Sequence, residues 1–175
     1  MSHEDHQEAA RGRLKAGDLR CGVLTCSDTR TPATDRSGDR IVTLLEAEGH
    51  AVNARILTRE DPDAIAEALD RLLADELDLV LCTGGTGIAS RDGTIEIVNE
   101  RLTTTLPGFG ELFRALSHEE IGSAAMLSRA TGGVVRASTN ATLLFALPGS
   151  TGAVELGLSR LILPQLEHMH LLLQA

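Results

Sequence analysis

The chain has no tryptophan, no tyrosine and only three phenylalanines, so it absorbs little light at 280 nm. It also lacks any apolar run that approaches the length needed to cross a bilayer, and its first residues are polar. These absences argue against a membrane-spanning segment and against a secretory signal. We therefore expect a cytoplasmic protein.

Cysteine is also scarce. The three cysteines, Cys21, Cys26 and Cys82, lie in apolar runs that resemble strands. Their odd number and scattered spacing fit neither a disulfide framework nor a zinc site. Cys21 and Cys26 are an odd number of residues apart, so on one strand their side chains point to opposite faces. We expect all three to be small buried residues.

Positive charge is in deficit, with a formal net charge of −9. Nucleic acids and anionic membranes require a basic surface, so neither is expected as a partner. An anionic small molecule remains possible because backbone N–H groups, a few arginines and a metal ion can create a locally positive site. The 175 residues contain no repeat or linker. We predict a flexible arm over residues 1–17 and one domain over residues 18–175.

Strand-like and helix-like segments alternate along this domain. The predicted strands cover residues 20–26, 51–57, 77–82 and 141–147. The predicted helices cover residues 37–48, the segment after the Asp61 cap, residues 94–101 with Thr94 as the cap, the segment opened by Pro107, residues 119–127, and residues 153–173 with an interruption at Pro164. The third strand is apolar on both faces, as central parallel strands are. The pattern predicts an α/β fold.

Two glycine-rich loops follow predicted strands. The loop Thr83-Gly84-Gly85-Thr86-Gly87 exposes backbone N–H groups and hydroxyls that suit oxyanions, and Asp92 adds a carboxylate that could hold a divalent cation against a phosphate. No lysine follows Gly87, so this is not a Walker A loop, and the third glycine of a dinucleotide fingerprint is missing. Either loop could be only a tight turn. Together, at the carboxyl ends of strands, they favour a ligand site.

A series of motifs in fixed order matches a known family. The motifs are Ser27-Asp28-Thr29-Arg30, Asp35-Arg36-Ser37-Gly38, Gly49-His50, Thr83-Gly84-Gly85-Thr86-Gly87, Arg91-Asp92-Gly93-Thr94, Pro107-Gly108-Phe109-Gly110-Glu111, Leu127-Ser128-Arg129 and Leu147-Pro148-Gly149-Ser150-Thr151. Over roughly residues 18 to 170, the chain resembles the molybdopterin-binding proteins of molybdenum cofactor biosynthesis, the MogA and MoaB group. Glu119-Glu120-Ile121-Gly122 and the serine and threonine after Gly149 look more like the MoaB branch.

The resemblance implies a three-layer α/β/α sandwich with a mostly parallel central sheet. It also implies Mg-ATP-dependent adenylylation of molybdopterin, in which the terminal phosphate of the pterin attacks the α-phosphorus of ATP and pyrophosphate leaves. The implied cofactor is Mg²⁺, and ATP and molybdopterin are the substrates. The implied protein partners are further copies of the chain, in a homotrimer or homohexamer, and the downstream molybdenum-insertion protein.

The resemblance further assigns roles to individual residues. Asp92 resembles the second catalytic acid, which holds Mg²⁺ against the ATP phosphates. Glu60 takes the place of the first acid, where the family has a Pro-Asp-Asp/Glu stretch, and its carboxylate reaches one methylene further. Asp61 is the rival for this role, with a helix cap as its alternative role. The implied substrate-binding residues are Ser27, Asp28, Thr83, Gly84, Gly85, Thr86, Gly87, Ser117, Ser128, Pro148, Gly149 and Ser150.

Several alternatives stay open at this point. Asp28 either lines the pocket or forms an Asx turn, and Arg91 and Arg129 either neutralise phosphate or are solvated. Ile95 replaces a proline that catalytic members often have, and Ala146 replaces an asparagine that some members have. A non-catalytic molybdopterin-binding or scaffold protein is therefore the alternative function, and an unrelated α/β nucleotide-binding protein is a third. Asp92 discriminates between the first two, because only the enzyme needs its carboxylate.

Overall fold

A computed structural model of the chain describes residues 19–174, so the predicted arm at residues 1–17 lies outside the described residues. The strands are β1 (Arg20–Cys26), β2 (Ala51–Thr58), β3 (Leu79–Thr83), β4 (Thr104–Thr105), β5 (Thr131–Arg136) and β6 (Ala141–Leu147). The α-helices are α1 (Arg36–Ala47), α2 (Pro62–Ala74), α3 (Thr94–Arg101), α4 (Pro107–Ile121), α5 (Thr151–Gly157) and α6 (Leu163–Gln174). A 3₁₀ helix covers Gly122–Leu127, and a π-helical turn covers Leu158–Ile162.

The six strands form one sheet in the order β2-β1-β3-β6-β5-β4. Strands β2, β1, β3 and β6 are parallel, whereas β5 and β4 are antiparallel to their neighbours. A strand in a parallel sheet needs a crossover connection, and α1, α2 and the helices after β3 supply it. The carboxyl ends of four strands consequently meet at one edge of the sheet, where ligands bind in folds of this kind.

Apolar side chains cover both faces of the sheet. On one face, Val23 belongs to a buried cluster that includes Leu45 of α1 and Phe113 of α4. On the other face, Leu24 belongs to a second cluster that includes Leu69 of α2 and Val98 of α3. Helices therefore cover the sheet on both sides, which confirms the predicted three-layer α/β/α sandwich.

The cysteines are buried and free, as predicted. Cys21 belongs to the cluster on the first face, whereas Cys26 and Cys82 belong to the cluster on the second. The predicted opposite orientation of Cys21 and Cys26 is thus confirmed. Burial raises the pKa of the Cys21 and Cys26 thiols to about 12, so both are protonated at neutral pH.

Strands β4 and β5 were not predicted from the sequence. Strand β5 contains Gly132 and Gly133, and glycine normally weakens a strand. Here both glycines permit close approach, because an added Cβ would collide with the Phe145 ring at Gly132 and with the Thr104 carbonyl at Gly133. Packing therefore overrides the local preference of the sequence.

Three helix predictions need correction. The separate helix predicted over residues 119–127 is wrong, because α4 continues to Ile121 and a 3₁₀ helix follows from Gly122, which has φ +61°. The last helical segment begins at Thr151 rather than Ala153, with Ser150 as its cap, and its irregularity is the π-helical turn just before Pro164. Thr94 is not a cap, because it is the first helical residue and Gly93 takes the cap position.

Within residues 19–174, no helix combines the length and the apolar character that a bilayer crossing requires.

Candidate functional site

A polar cavity of about 390 Å³ opens at the sheet edge where the parallel strands end. The residues that line it come from the ends of β1 and β3, from the loops after β1, β2, β3 and β6, and from the first turn of α1. They are Thr25, Cys26, Ser27, Thr29, Arg30, Ser37, Glu60, Thr83, Gly84, Gly85, Thr86, Gly87, Asp92, Gly149 and Ser150. Segments distant in sequence are thus brought together at one place by the parallel topology.

The structure brings together most of the residues that the sequence singled out. Ten of them line the cavity: Ser27, Glu60, Thr83, Gly84, Gly85, Thr86, Gly87, Asp92, Gly149 and Ser150. Asp28, Ser117, Ser128 and Pro148 are not among its lining residues. Sequence reasoning gave no role to five others that do line it: Thr25, Cys26, Thr29, Arg30 and Ser37. Three of these, Thr29, Arg30 and Ser37, belong to the quoted motifs, which were the available signal.

The glycine loop needs glycine for steric reasons. Gly84 and Gly85 have φ angles of +91° and +60°, in the left-handed region that glycine tolerates best. A Cβ at Gly84 would also collide with the Cys26 carbonyl oxygen. The Gly84 amide donates to the Leu147 carbonyl at 3.2 Å, and the Thr83 hydroxyl donates to the Pro148 carbonyl at 3.1 Å. The two glycine-rich loops are therefore fastened to each other.

Arg30 is the one cationic side chain among the described residues that line the cavity. Its Nη2 donates to the Gly149 carbonyl at 2.8 Å, and its Nη1 donates to the Ser37 hydroxyl. These bonds tie the loop after β1 to the loop after β6 and to the start of α1. They place a guanidinium charge in the wall of the cavity, where an anion would be attracted.

Asp35 lies beneath this wall and is 1% exposed. Its carboxylate accepts hydrogen bonds from Thr25 Oγ1 at 2.8 Å, Gly38 N at 3.0 Å and Arg55 Nη2 at 2.8 Å. Arg30 Nη1 is 3.5 Å from Asp35 Oδ1. Burial alone would raise the Asp35 pKa, but the donors, led by Arg55, outweigh it and hold the pKa below its ordinary value. Asp35 thus organises the start of α1 and the position of Arg30.

Glu60 and Asp92 bring two carboxylates to the cavity. Glu60 Oε2 pairs with Arg91 Nε at 3.2 Å, and the Asp92 carboxylate accepts from the Ala89 amide at 2.8 Å. Burial raises the Glu60 pKa, the Asp28 charge adds to this effect, Arg91 opposes it, and the Asp92 charge adds again. Neighbouring negative charges of this kind favour binding of a cation.

The donor set fits Mg²⁺ bound together with a phosphate. Mg²⁺ prefers oxygen ligands and is commonly held by one or two carboxylates plus substrate phosphates and water. Within residues 19–174, no three histidine, cysteine or acidic side chains come together as a complete metal site. Glu60 and Asp92 would therefore share the ion with oxygens of a bound ligand.

The structure decides between the two roles considered for Asp61 and gives Asp28 a role that is neither pocket lining nor an Asx turn. Asp61 is the N-cap of α2, where its Oδ1 accepts from the Ala64 amide at 3.0 Å, and it does not line the cavity. Asp28 Oδ1 accepts from the Glu60 amide at 3.0 Å, so it fastens the loop after β2 to the loop after β1. Glu60, rather than Asp61, faces the cavity.

Replacing Asp61 by alanine is expected to lower the free energy of unfolding by about 1 kcal/mol, because the substitution removes a helix cap. Ligand binding at the cavity should stay unchanged. Urea unfolding followed by circular dichroism measures the first effect. Asp61→Asn, which can still cap the helix, is the matched control, and a large loss of ligand binding in either variant would contradict the capping role.

Arg91 and Arg129 lie beside the cavity without lining it. Arg129 donates from Nε to the Thr86 carbonyl at 2.9 Å and from Nη2 to the Asp92 carbonyl at 3.4 Å, and it also pairs with Glu96. Arg129 therefore holds both ends of the loop that carries Asp92 by hydrogen bonds. The sequence predicted either phosphate neutralisation or a solvated side chain, and neither describes this role.

A comparison with family models identifies the chain. Residues 22–168 match the family described as "Probable molybdopterin binding domain". The chain belongs to this molybdopterin-binding family. The predicted resemblance to the MogA and MoaB group is confirmed.

Relatives within the molybdopterin-binding family are similar over nearly their whole length. "Molybdenum cofactor biosynthesis protein B" of Bacillus subtilis (strain 168) is 44% identical over 171 residues, which cover 97% of this chain and 95% of the relative. The protein of the same name from Staphylococcus carnosus is 46% identical over 159 residues, which cover 87% and 89%. Both carry the MoaB name, in agreement with the predicted MoaB-like character.

Solved structures support the same assignment. A crystal structure of molybdenum cofactor biosynthesis protein B superposes with a TM-score of 0.83 at 44% identity, over 92% of this chain and 99% of the other. The tungsten cofactor synthesizing protein MoaB from Pyrococcus furiosus gives a TM-score of 0.81 at 34% identity, over 93% and 100%. A MogA structure gives 0.77 at 28% identity, over 88% and 99%. The predicted molybdopterin-binding fold is confirmed.

Two serines that the resemblance assigns to substrate binding do not line the cavity. The Ser117 hydroxyl is buried and donates to the Phe113 carbonyl within α4 at 2.7 Å. Ser128 follows the 3₁₀ helix, and its amide donates to the Ala125 carbonyl at 3.0 Å. Ala146, at the place of a family asparagine, is fully buried in β6 and does not line the cavity either. The groups that line the cavity and chemically suit an anion belong to the glycine loops and to Arg30.

Proposed function

We propose that this chain adenylylates molybdopterin with Mg-ATP as a step of molybdenum cofactor biosynthesis. The observation that carries the proposal is that Glu60 and Asp92 line the same cavity as the glycine loop and Arg30. Two carboxylates, backbone N–H groups and one guanidinium together suit a cation bound to a polyphosphate. Membership of the molybdopterin-binding family supports the pterin as the second substrate.

In the proposed reaction, an oxygen of the terminal phosphate of molybdopterin attacks the α-phosphorus of ATP. The bond between the α-phosphorus and the bridging oxygen breaks, and pyrophosphate leaves. Catalysis of this kind depends on positioning and on stabilisation of negative charge, and it needs no covalent nucleophile. Cys26 agrees with this, because its thiol, with a pKa of about 12, stays protonated at neutral pH.

Different residues of the cavity would orient the phosphates, neutralise their charge and hold Mg²⁺. The amides of Gly85 to Gly87 and the Thr86 hydroxyl, together with Ser27 and Ser150, would orient phosphate oxygens. Thr83 and Gly84 would shape the same wall, since the Thr83 hydroxyl and the Gly84 amide hold the two glycine-rich loops together. Arg30 would neutralise part of their charge. Glu60 and Asp92 would hold Mg²⁺, which supplies further charge neutralisation when bound. The predicted roles of all these residues are parts of the proposal.

The test is to incubate the purified protein with molybdopterin, ATP and Mg²⁺ and to separate the products by chromatography. We expect adenylylated molybdopterin and pyrophosphate in equal amounts. Because the chain lacks tryptophan and tyrosine, absorption by a bound pterin can be measured separately on the same sample. Pterin binding without either product would contradict adenylyl transfer.

The second candidate is a non-catalytic molybdopterin-binding or scaffold protein of the same fold. The observation that favours it is the ion pair between Glu60 and Arg91, which engages one of the two carboxylates. Arg91 is 67% exposed, however, and an exposed ion pair contributes little free energy. A bound cation can therefore displace it, and we prefer the enzyme.

Replacing Arg30 by glutamine should weaken ATP binding by roughly ten- to a hundred-fold, since a charged hydrogen-bond donor is removed from the cavity wall. Titration with a fluorescent ATP analogue measures the dissociation constant. Arg36→Gln is the control, because Arg36 belongs to the same segment but is exposed and does not line the cavity. Equal affinities of wild type and Arg30→Gln would refute the role of Arg30.

Assembly into a homotrimer or homohexamer, and contact with the downstream molybdenum-insertion protein, are also part of this proposal. Support for association comes from a largely apolar groove of about 450 Å³ between α4 and the end of the chain, lined among others by Leu106, Phe109, Leu161 and Met169. Apolar surfaces of this kind commonly mark contacts with other proteins.

A further inference from the structure

The side chain of Thr94 is buried without a strong hydrogen-bond partner. The residue is 0% exposed, and its Oγ1 has no nitrogen or oxygen partner among the described protein atoms. Buried hydroxyls are nearly always hydrogen-bonded, because burial deprives them of water. An unpaired hydroxyl next to a proposed catalytic site therefore needs an explanation, and a capping role does not provide one.

The surroundings of this hydroxyl are defined by Gly85. A Cβ added to Gly85 would lie 2.5 Å from Thr94 Oγ1, 3.5 Å from Cys26 Cβ and 3.7 Å from Glu60 Cγ. The Thr94 hydroxyl and the Glu60 side chain thus border the same small space. Glycine at position 85 keeps that space open, since any other side chain would fill it.

Of the groups around this space, the Glu60 carboxylate is the strong acceptor. The Thr94 hydroxyl also interacts with the Cys26 thiol and opposes the rise of its pKa, but a protonated thiol is at most a weak hydrogen-bond partner. The Thr94 backbone is held in place, because its amide donates to the Gly85 carbonyl at 3.1 Å. The Glu60 carboxylate instead pairs with the exposed Arg91, in an ion pair that contributes little free energy and that another partner can replace.

We propose that Thr94 is a positioning residue whose hydroxyl donates a hydrogen bond to the Glu60 carboxylate when Mg²⁺ and ATP are bound. The proposal rests on the proposed function, which assigns Glu60 to the metal. It answers a specific need of this chain, because glutamate has one more rotatable bond than aspartate and requires an additional contact to fix its direction. The bond replaces the ion pair with Arg91 and turns the carboxylate into the cavity.

A double-mutant cycle tests the proposal. Thr94→Val, Glu60→Gln and the double variant are titrated with Mn²⁺ in the presence of ATP, and free Mn²⁺ is followed by electron paramagnetic resonance. We expect Thr94→Val to weaken Mn²⁺ binding about ten-fold when Glu60 is present and not at all when it is glutamine. Thr94→Ser, which keeps the hydroxyl, should restore most of the affinity.

Thermal unfolding of the ligand-free protein separates this role from a structural one. Because the weakly interacting Cys26 thiol is the one polar contact of the hydroxyl found in the described part of the free protein, Thr94→Val should unfold at about the same temperature as the wild type or higher. A marked fall in that temperature would show a structural role and overturn the proposal. Equal losses of Mn²⁺ affinity in both Glu60 backgrounds, or no loss in either, would overturn it as well.

The cycle also separates this proposal from the proposed function. Coupling between Thr94 and Glu60 without any adenylylated product would leave the positioning role standing while adenylyl transfer fails. Product formation without coupling would support adenylyl transfer and overturn the positioning role of Thr94. A wild-type protein that does not bind Mn²⁺ and ATP together would overturn both.

Discussion

Asp92→Asn is expected to lower kcat/KM for molybdopterin adenylylation by on the order of 10²- to 10³-fold, the usual effect of removing one electrostatic contributor to a transition state. Asparagine keeps an oxygen that can accept from the Ala89 amide, so the loop geometry should survive. What disappears is the negative charge that would hold Mg²⁺. The measurement is the initial rate of product formation at several ATP and Mg²⁺ concentrations.

Two controls make the Asp92 result decisive. Asp61→Asn removes a charge one residue from Glu60 but outside the cavity lining, and it should keep nearly full activity. Circular dichroism of both variants should match the wild type. Full activity of Asp92→Asn would rule out the metal-holding role. An inactive wild type that still binds pterin would instead support the non-catalytic alternative.

Asp35→Ala is expected to destabilise the fold by roughly 3 kcal/mol, because it removes a buried carboxylate that caps α1 and pairs with the half-buried Arg55 and Arg30. For a domain of this size, such a change lowers the melting temperature by about 10 °C. Urea unfolding followed by circular dichroism is the suitable measurement, since the chain has no tryptophan to report by fluorescence.

Asp39→Ala is the matched control for Asp35→Ala. Asp39 also pairs with Arg55, but its side chain is 57% exposed, so Asp39→Ala should lower the free energy of unfolding by at most about 1 kcal/mol.

The contribution of Asp35 to stability depends on pH. The lowered pKa of Asp35 stabilises the folded state at pH values above its ordinary 3.8, and this contribution is lost as the pH falls through the lowered value. The difference between wild type and Asp35→Ala should therefore be constant from pH 7 to pH 5 and shrink in stronger acid. A difference that grows in acid would contradict the assignment.

The parallel half of the fold could be predicted from sequence, because local signals and tertiary structure agree there. The Asp61 cap and the apolar β3 both lie where the sequence placed them, within two residues. The antiparallel half could not. In β5 the glycines are required by the Phe145 ring and by the Thr104 carbonyl, which are contacts between segments distant in sequence. No local pattern reports such contacts.

Prediction of the candidate site also fails where a residue's role depends on contacts between segments distant in sequence. Glycine loops and acidic residues can be recognised in a sequence by residue type and spacing, and Glu60, Asp92 and Gly85 were predicted as site residues in this way. Arg30 was missed as a site residue, because its place in the wall depends on the Gly149 carbonyl and on the Ser37 hydroxyl. Asp35 was likewise seen only as part of a motif, since its burial follows from the packing of α1 and β2 against β1.

The cavity draws on the carboxyl ends of β1, β2, β3 and β6, and its lining runs from Thr25 to Ser150. No fragment shorter than residues 25–150 contains all of these groups, and an unfolded chain does not bring them together. Whatever ligand occupies the cavity consequently binds only the complete fold, and its binding free energy adds to the stability of the entire domain. In a cell, supply of that ligand would slow the turnover of this protein, so its abundance would follow that of the compound it binds.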